Sequence, residues 1–125
     1  MLRFNTAGPC LPGRHYMLPP LERLPEARVR VEAGDYFVVH APRQTGKTTT
    51  LRALAQQLTR EGKFAAVYFS AEAGEAFGSD PEAAEQVVVG NLARAIEEDL
   101  PEALRAPPAP AAPPGDRLTA LLTAW

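Results

Sequence analysis

The stretch Ala41-Pro42-Arg43-Gln44-Thr45-Gly46-Lys47-Thr48 separates two apolar patterns with different periods. Before it, Tyr36-Phe37-Val38-Val39 is a continuous apolar run, which is typical of a strand buried on both faces. After it, Leu51, Leu54, Ala55 and Leu58 recur at helical spacing. The patterns predict a strand, then a loop, then a helix that begins near Lys47.

The end of this loop, Gly46-Lys47-Thr48, is the end of a phosphate-binding P-loop motif. The first N–H groups of a helix lack intrahelical acceptors and carry partial positive charge, so they can bind phosphate oxygens. Gly46 lets the backbone approach a phosphate because it has no Cβ. We expect the Lys47 ammonium to face the β- and γ-phosphates and the Thr48 hydroxyl to bind Mg²⁺.

Two loop positions depart from the usual pattern. Ala41 stands where the consensus has Gly, but Pro42 favours extended geometry at Ala41 and reduces the need for a positive φ there. Arg43 has two open interpretations. Its guanidinium either contacts the γ-phosphate or a nearby carboxylate, or is a solvated charge at the loop tip.

Composition limits the classes of protein to consider. The chain has 125 residues, of which 46% are hydrophobic, and a net charge of -2, which suits one modest domain or part of a larger one. The weak acidity predicts no nucleic-acid partner. The lone Cys10, the absence of a signal-peptide pattern and the lack of about 20 consecutive apolar residues predict a cytoplasmic chain without a membrane partner.

The rest of the chain divides into two predicted parts, residues 1–34 and residues 35–125. The first is an irregular arm followed by a helix over 20–33, and the second is a partial P-loop NTPase domain with a Pro-rich insertion at 106–114. Strands at 35–40 and 63–70 flank the central helix, and Gly62 ends that helix. We therefore expect a three-layer α/β fold with a parallel sheet, incomplete in this chain.

Two further helices follow the second predicted strand. Asp80-Pro81 has the pattern of a helix cap and first residue, and Asp116 is expected to cap the last helix. Between them and the strand, Glu72 lies in a loop. Its carboxylate either polarises a water or holds a Mg²⁺-bound water, or is simply solvated.

In the arm, Tyr16 and Met17 either pack on an adenine ring or fill the edge of the core.

The chain resembles the AAA-like P-loop ATPases, particularly those related to the signalling STAND-type ATPases. The resemblance is carried by His15-Tyr16-Met17-Leu18-Pro19-Pro20, Tyr36-Phe37-Val38-Val39-His40-Ala41-Pro42-Arg43-Gln44-Thr45-Gly46-Lys47-Thr48-Thr49 and Val67-Tyr68-Phe69-Ser70. It implies an ATP-binding domain that couples nucleotide binding and hydrolysis to conformational change in a larger protein, with ATP and Mg²⁺ as cofactors. It also implies protein partners or additional domains of the same chain.

By this resemblance Lys47 is the catalytic residue and Thr48 the Mg²⁺ ligand. The implied nucleotide-binding residues are Pro42, Arg43, Gln44, Thr45, Gly46, Lys47, Thr48 and Thr49. The family also has an acidic strand, which lies between the two predicted here. No apolar run in this sequence ends in Asp or Asp-Glu, so we expect a fragment that does not hydrolyse ATP efficiently by itself.

Three alternatives remain at this point. Signal-recognition-type GTPases share the run Gly46-Lys47-Thr48-Thr49-Thr50, although they have glycines at the positions of Ala41, Gln44 and Thr45. A nucleotide-sensing interaction module would bind ATP with little turnover. A degenerate structural domain would bind no nucleotide at all.

Overall fold

Four α-helices account for most of the regular structure in the computed structural model, which describes residues 1–4, 6, 11, 13–16, 20–43 and 46–125. They are α1 (Pro25–Ala33), α2 (Lys47–Arg60), α3 (Pro81–Asp99) and α4 (Arg117–Ala124). Short 3-10 helices span Pro20–Arg23, Glu72–Phe77 and Glu102–Leu104. None of the helices in the described ranges has the length and apolar character needed to span a membrane.

Local sequence signals placed the end of α1 and the start of α3 correctly. Gly34 ends α1 with a φ of 74°, and the N–H of Asp35 donates to the Arg30 carbonyl at 2.9 Å, as in a Schellman motif. Asp80 caps α3, because its carboxylate accepts a hydrogen bond from the N–H of Ala83 at 3.0 Å. The predicted helices after the loop, after Asp80 and after Asp116 are confirmed. The prediction of one helix over 20–33 is correct only in part, because a 3-10 helix at Pro20–Arg23 precedes α1, which begins at Pro25.

The predicted three-layer α/β fold with a parallel sheet is wrong. The described residues contain helices and no sheet, and their single β-bridge joins Arg3 to His15 in the arm. The run at 36–39 is not buried on both faces, because Tyr36 and Val38 are 104% and 89% exposed while Phe37 packs inward. A continuous apolar run indicates a central strand only when both of its faces are covered, and here Phe37 packs against the helices while Tyr36 and Val38 face solvent.

The second predicted strand, at 63–70, also has no strand partner among the described residues. Its backbone is held by a side chain instead: the Thr59 hydroxyl accepts from the N–H of Ala66 at 3.0 Å and donates to the Ala66 carbonyl at 3.2 Å. The Thr59 hydroxyl on α2 thus satisfies both the N–H and the carbonyl of Ala66. In a sheet, a neighbouring strand would form these hydrogen bonds.

Two hydrophobic clusters form the core of the part of the chain that the structure describes. The α1–α2 cluster has the buried residues Ala27, Leu54 and Leu58, with Leu24, Val31, Phe37, Phe64 and Ala66 packed around them. The α3–α4 cluster has the buried residues Leu92, Ile96, Leu100 and Leu121, with Val67, Phe69, Val89, Ala93, Ala106, Leu118 and Trp125 around them. Residues 64–69 contribute to both clusters and so connect the two pairs of helices.

The cap of α4 comes from α3 and not from Asp116. The Asp116 side chain makes no capping hydrogen bond. The Glu85 carboxylate accepts instead from the N–H groups of Gly115 at 2.7 Å, Arg117 at 3.0 Å and Leu118 at 3.4 Å. Because Gly115 follows the Pro-rich segment 106–114, Glu85 fixes the end of that segment to α3.

This arrangement predicts a pH-dependent stability. The hydrogen bond from the Gly115 N–H is the main cause that lowers the pKa of Glu85 below its ordinary value of 4.5. Partial desolvation opposes it, and the Leu118 and Arg117 N–H groups and the Arg117 charge add to it. The folded pKa is depressed, so the Glu85 carboxylate stabilises the fold above the unfolded pKa. That contribution is lost as pH falls through the folded pKa.

We expect Glu85→Gln to lower the melting temperature by a few degrees at pH 7, and the difference from the wild type to shrink as pH falls below about 4.5. Glu97→Gln is the matched control, because Glu97 is exposed on the same helix. Thermal melts from pH 3 to 8 check both variants. Equal melting temperatures for the two variants at pH 7 would show that the three N–H contacts contribute nothing to stability.

Candidate functional site

The first turn of α2 is built around Gly46. Gly46 has a φ of 81° and a ψ of 20°, in the left-handed region that favours glycine. Its carbonyl accepts two hydrogen bonds from Thr50, one from the backbone N–H and one from the hydroxyl, each at 2.9 Å. Thr50 is buried, and its two bonds to the Gly46 carbonyl fix the start of the helix. As in the first turn of any α-helix, the N–H groups of Lys47, Thr48 and Thr49 have no intrahelical acceptors.

The Lys47 side chain folds back over the loop. Its ammonium donates hydrogen bonds to the carbonyls of Ala41 and Pro42, the latter at 2.9 Å. The first residues of the loop are thereby tied to the first residue of α2. An ammonium has three donors, and these two bonds use two of them.

A second cation, Arg23, lies beside Gly46. Arg23 ends the 3-10 helix Pro20–Arg23, and its Nη1 atom is 2.8 Å from the position that a Cβ on Gly46 would occupy. The positive φ favours glycine at position 46, and a Cβ there would also displace the flexible end of the Arg23 side chain. Sequence reasoning missed Arg23, because residues 23 and 46 are brought together by packing and no local motif signals it.

The other predicted loop residues have different environments. Arg43 and Thr48 are exposed, and Thr49 is partly buried. Gln44 and Thr45 lie outside the described residues. Sequence reasoning also missed Thr50, the third threonine of the run, whose burial at helical spacing from Leu54 and Leu58 was the available signal.

The predicted acidic and aromatic candidates do not assemble at the loop in the described part of the chain. Glu72 and Glu75 are exposed in the 3-10 helix Glu72–Phe77, which packs against α3. The Tyr16 ring contacts Phe4, with 4.9 Å between the ring centroids, and Met17 lies outside the described residues. No group of three or more His, Cys, Asp or Glu side chains in the described ranges could hold a metal ion.

A groove of about 830 Å³ lies between α2 and α3, above residues 66–70. Its lining includes Arg52, Arg60 and Arg94, and the Arg52 guanidinium stands over the Tyr68 ring at 5.2 Å from the centroid. Its lining includes none of the described loop residues, which are 41–43 and 46–48. The groove is therefore separate from the candidate phosphate site.

Comparison with known proteins gave no relatives: no protein-family model, no curated protein and no solved structure matches the chain. The candidate site accordingly rests on the loop sequence and on the geometry around Gly46, Lys47 and Thr50.

Proposed function

We propose that residues 41–49 bind the phosphates of a nucleoside triphosphate, ATP first, together with Mg²⁺. The observation that carries this proposal is the position of Lys47. Its ammonium is held by the Ala41 and Pro42 carbonyls at the N-terminus of α2, beside a left-handed Gly46. Backbone N–H groups, a helix dipole and an ammonium at one place favour an anion with several negative charges.

Each described loop residue has a role in this proposal. The N–H groups of Lys47, Thr48 and Thr49 donate to phosphate oxygens, and the third donor of Lys47 binds one more. The exposed Thr48 hydroxyl holds Mg²⁺, which neutralises phosphate charge when bound. Pro42 contributes the carbonyl that orients Lys47, and the exposed Arg43 is free to approach a phosphate. Gln44 and Thr45 belong to the proposed nucleotide-binding residues because of their positions in the P-loop motif, and no structural observation is used for them.

The wider function that we propose is that of an ATP-binding module of a cytoplasmic protein. It would couple nucleotide binding to conformational change in protein partners or in additional domains. The resemblance of the loop to AAA-like ATPases supports this part, together with the weakly acidic composition and the single cysteine. The described fold positions Gly46 and Lys47 at the start of α2, but it does not indicate which protein or domain would be the partner.

Titration of the whole chain with ATP, GTP and pyrophosphate, with Mg²⁺ or with EDTA, tests the proposal. A ligand at about 100 times its Kd stabilises a protein by about 2.7 kcal/mol, so Mg²⁺-ATP should raise the melting temperature by several degrees. If none of the three ligands does so, the proposal is wrong. A stronger effect of GTP would favour the GTPase alternative, and phosphate release would separate an enzyme from a sensing module.

Thr48→Ala should reduce the Mg²⁺-dependent part of ATP affinity several-fold and leave the affinity in EDTA nearly unchanged, because the hydroxyl acts through the metal ion. Thr123→Ala is the control, since Thr123 is exposed near the end of α4. Isothermal titration with and without Mg²⁺ measures both. An equal loss of affinity in both conditions would exclude Thr48 as a metal ligand.

A further inference from the structure

The sequence of the Pro-rich segment 106–114 restricts its backbone. Five of its nine residues are proline, and five of them precede a proline. Proline fixes φ at about −65°, and the residue before a proline favours extended geometry. Ala111 is the one residue of the segment with neither restriction. Residues 106–113 form no helix, strand or turn, so the segment is expected to have polyproline II geometry.

Both ends of this segment are tied to α3. At one end, Ala106 packs against the α3–α4 cluster, and the Arg105 Nε donates to the Leu100 carbonyl at 3.0 Å. At the other end, the Gly115 N–H donates to the Glu85 carboxylate at 2.7 Å. The distance along the helix from Glu85 to Leu100 is roughly 22 Å, and ten residues of polyproline II reach about 31 Å. An extended segment is therefore long enough to run back along α3.

The exposure of the residues follows the period of this geometry. Polyproline II has about three residues per turn, so residues three apart lie on the same edge. One edge faces the protein, because its two outer residues are partly buried; it has Ala106, Ala109 and Ala112. A second edge, which we call the proline edge, is exposed at all three of its positions, Pro107, Pro110 and Pro113. On the third edge, an alanine separates the two prolines.

An exposed row of proline rings matches one kind of protein surface. The rings are apolar and rigid, and polyproline II has no internal hydrogen bonds, so its carbonyls are open to donors. Domains that recognise this conformation have a groove lined by aromatic side chains, which pack against the rings of a PxxP segment. The proline edge contains this spacing twice, from Pro107 to Pro110 and from Pro110 to Pro113.

We propose that the proline edge is a docking site for a partner protein domain with an aromatic-lined groove. Ion pairs within the segment make no contribution, because residues 106–114 carry no charge. The contacts of Arg105, Ala106 and Gly115 hold the segment before binding, so little conformational freedom is lost when the partner docks. The site is separate from residues 41–49 and does not depend on nucleotide binding.

Titration of the whole chain into a ¹⁵N-labelled SH3 domain, with a WW domain as the second probe, tests this inference, because both have aromatic-lined grooves. We expect chemical-shift changes confined to that groove. Pro110→Ala removes the middle ring of the proline edge and should weaken binding about tenfold, since fewer ring carbons are buried. Pro108→Ala is the matched control. It also removes one proline and loosens the backbone, but on another edge, so Kd should change by less than about twofold.

The result overturns the proposal if neither domain binds the wild-type chain at millimolar concentration, because the segment is then a spacer. Equal losses in Pro110→Ala and Pro108→Ala would show that the proline edge is not the contact surface. Shift changes outside the aromatic groove would exclude this mode of recognition. Both prolines are exposed, so unchanged melting temperatures are expected and confirm that the variants fold. The titrations contain no nucleotide, and their result is independent of whether residues 41–49 bind ATP.

Discussion

Replacing Lys47 with alanine should weaken the binding of Mg²⁺-ATP by roughly ten- to a hundredfold. A hydrogen bond to a charged group contributes about 1.5–3 kcal/mol, and each 1.4 kcal/mol is a factor of about ten in Kd. The variant loses the contact of the ammonium with the phosphate. It also loses the two hydrogen bonds that hold the Ala41 and Pro42 carbonyls beside α2, so the loop is less well ordered for the ligand.

Arg43→Ala is the control for this prediction, because Arg43 is an exposed cation of the same loop. It should change Kd by less than about threefold, because a contact between phosphate and an exposed side chain is screened by solvent. Both variants should melt within a few degrees of the wild type, since Lys47 and Arg43 lie outside the two hydrophobic clusters. Equal losses in the two variants, or a larger loss in Arg43→Ala, would mean that Lys47 is not the principal phosphate-binding cation.

The helices were predictable because their signals are local. A stripe of apolar residues every three or four positions, a cap such as Asp80 and a terminating glycine such as Gly34 all lie within one element. The start of α2 at Lys47 followed from the same kind of evidence. Local rules therefore placed Lys47 and Thr48 on the first turn of a helix.

The absence of a sheet from the described residues was not predictable in the same way, because a strand is defined by a partner that is distant in sequence. Tyr36-Phe37-Val38-Val39 has the composition of a buried strand, yet Tyr36 and Val38 are exposed. Thr59 satisfies the backbone of Ala66 seven residues away, which no strand pattern indicates. For the same reason, the sequence did not predict the contact of Arg23 with Gly46 or that of Glu85 with the start of α4. Both contacts join residues that are distant in sequence.

The largest effect on stability is expected from Ile96→Ala. Ile96 is 1% exposed and packs with Leu92, Leu100 and Leu121 at the centre of the α3–α4 cluster. Removing three buried carbons costs their transfer free energy and leaves a cavity, which together amount to about 2–5 kcal/mol. That is a large share of the roughly 5–15 kcal/mol by which a domain is stable.

Urea denaturation measures this loss, and Val29→Ala is the control. Val29 is 66% exposed on α1, so its truncation should change the free energy of unfolding by less than about 0.5 kcal/mol. The single tryptophan, Trp125, packs against the α3–α4 cluster and reports its unfolding by fluorescence. Far-UV circular dichroism follows all the helices at once.

The position of residues 64–69 decides whether this loss reaches the phosphate loop. Phe64 and Ala66 pack in the α1–α2 cluster, and Val67 and Phe69 pack in the α3–α4 cluster, so the same short segment is shared. We therefore expect the fluorescence and dichroism transitions of Ile96→Ala to coincide at one lower urea midpoint, with α2 unfolding together with α3. Below that midpoint ATP affinity should stay unchanged, because Ile96 is not in the loop. Two separate transitions, with α2 retained after Trp125 is exposed, would show that the clusters unfold independently and that the loop depends on the α1–α2 cluster alone.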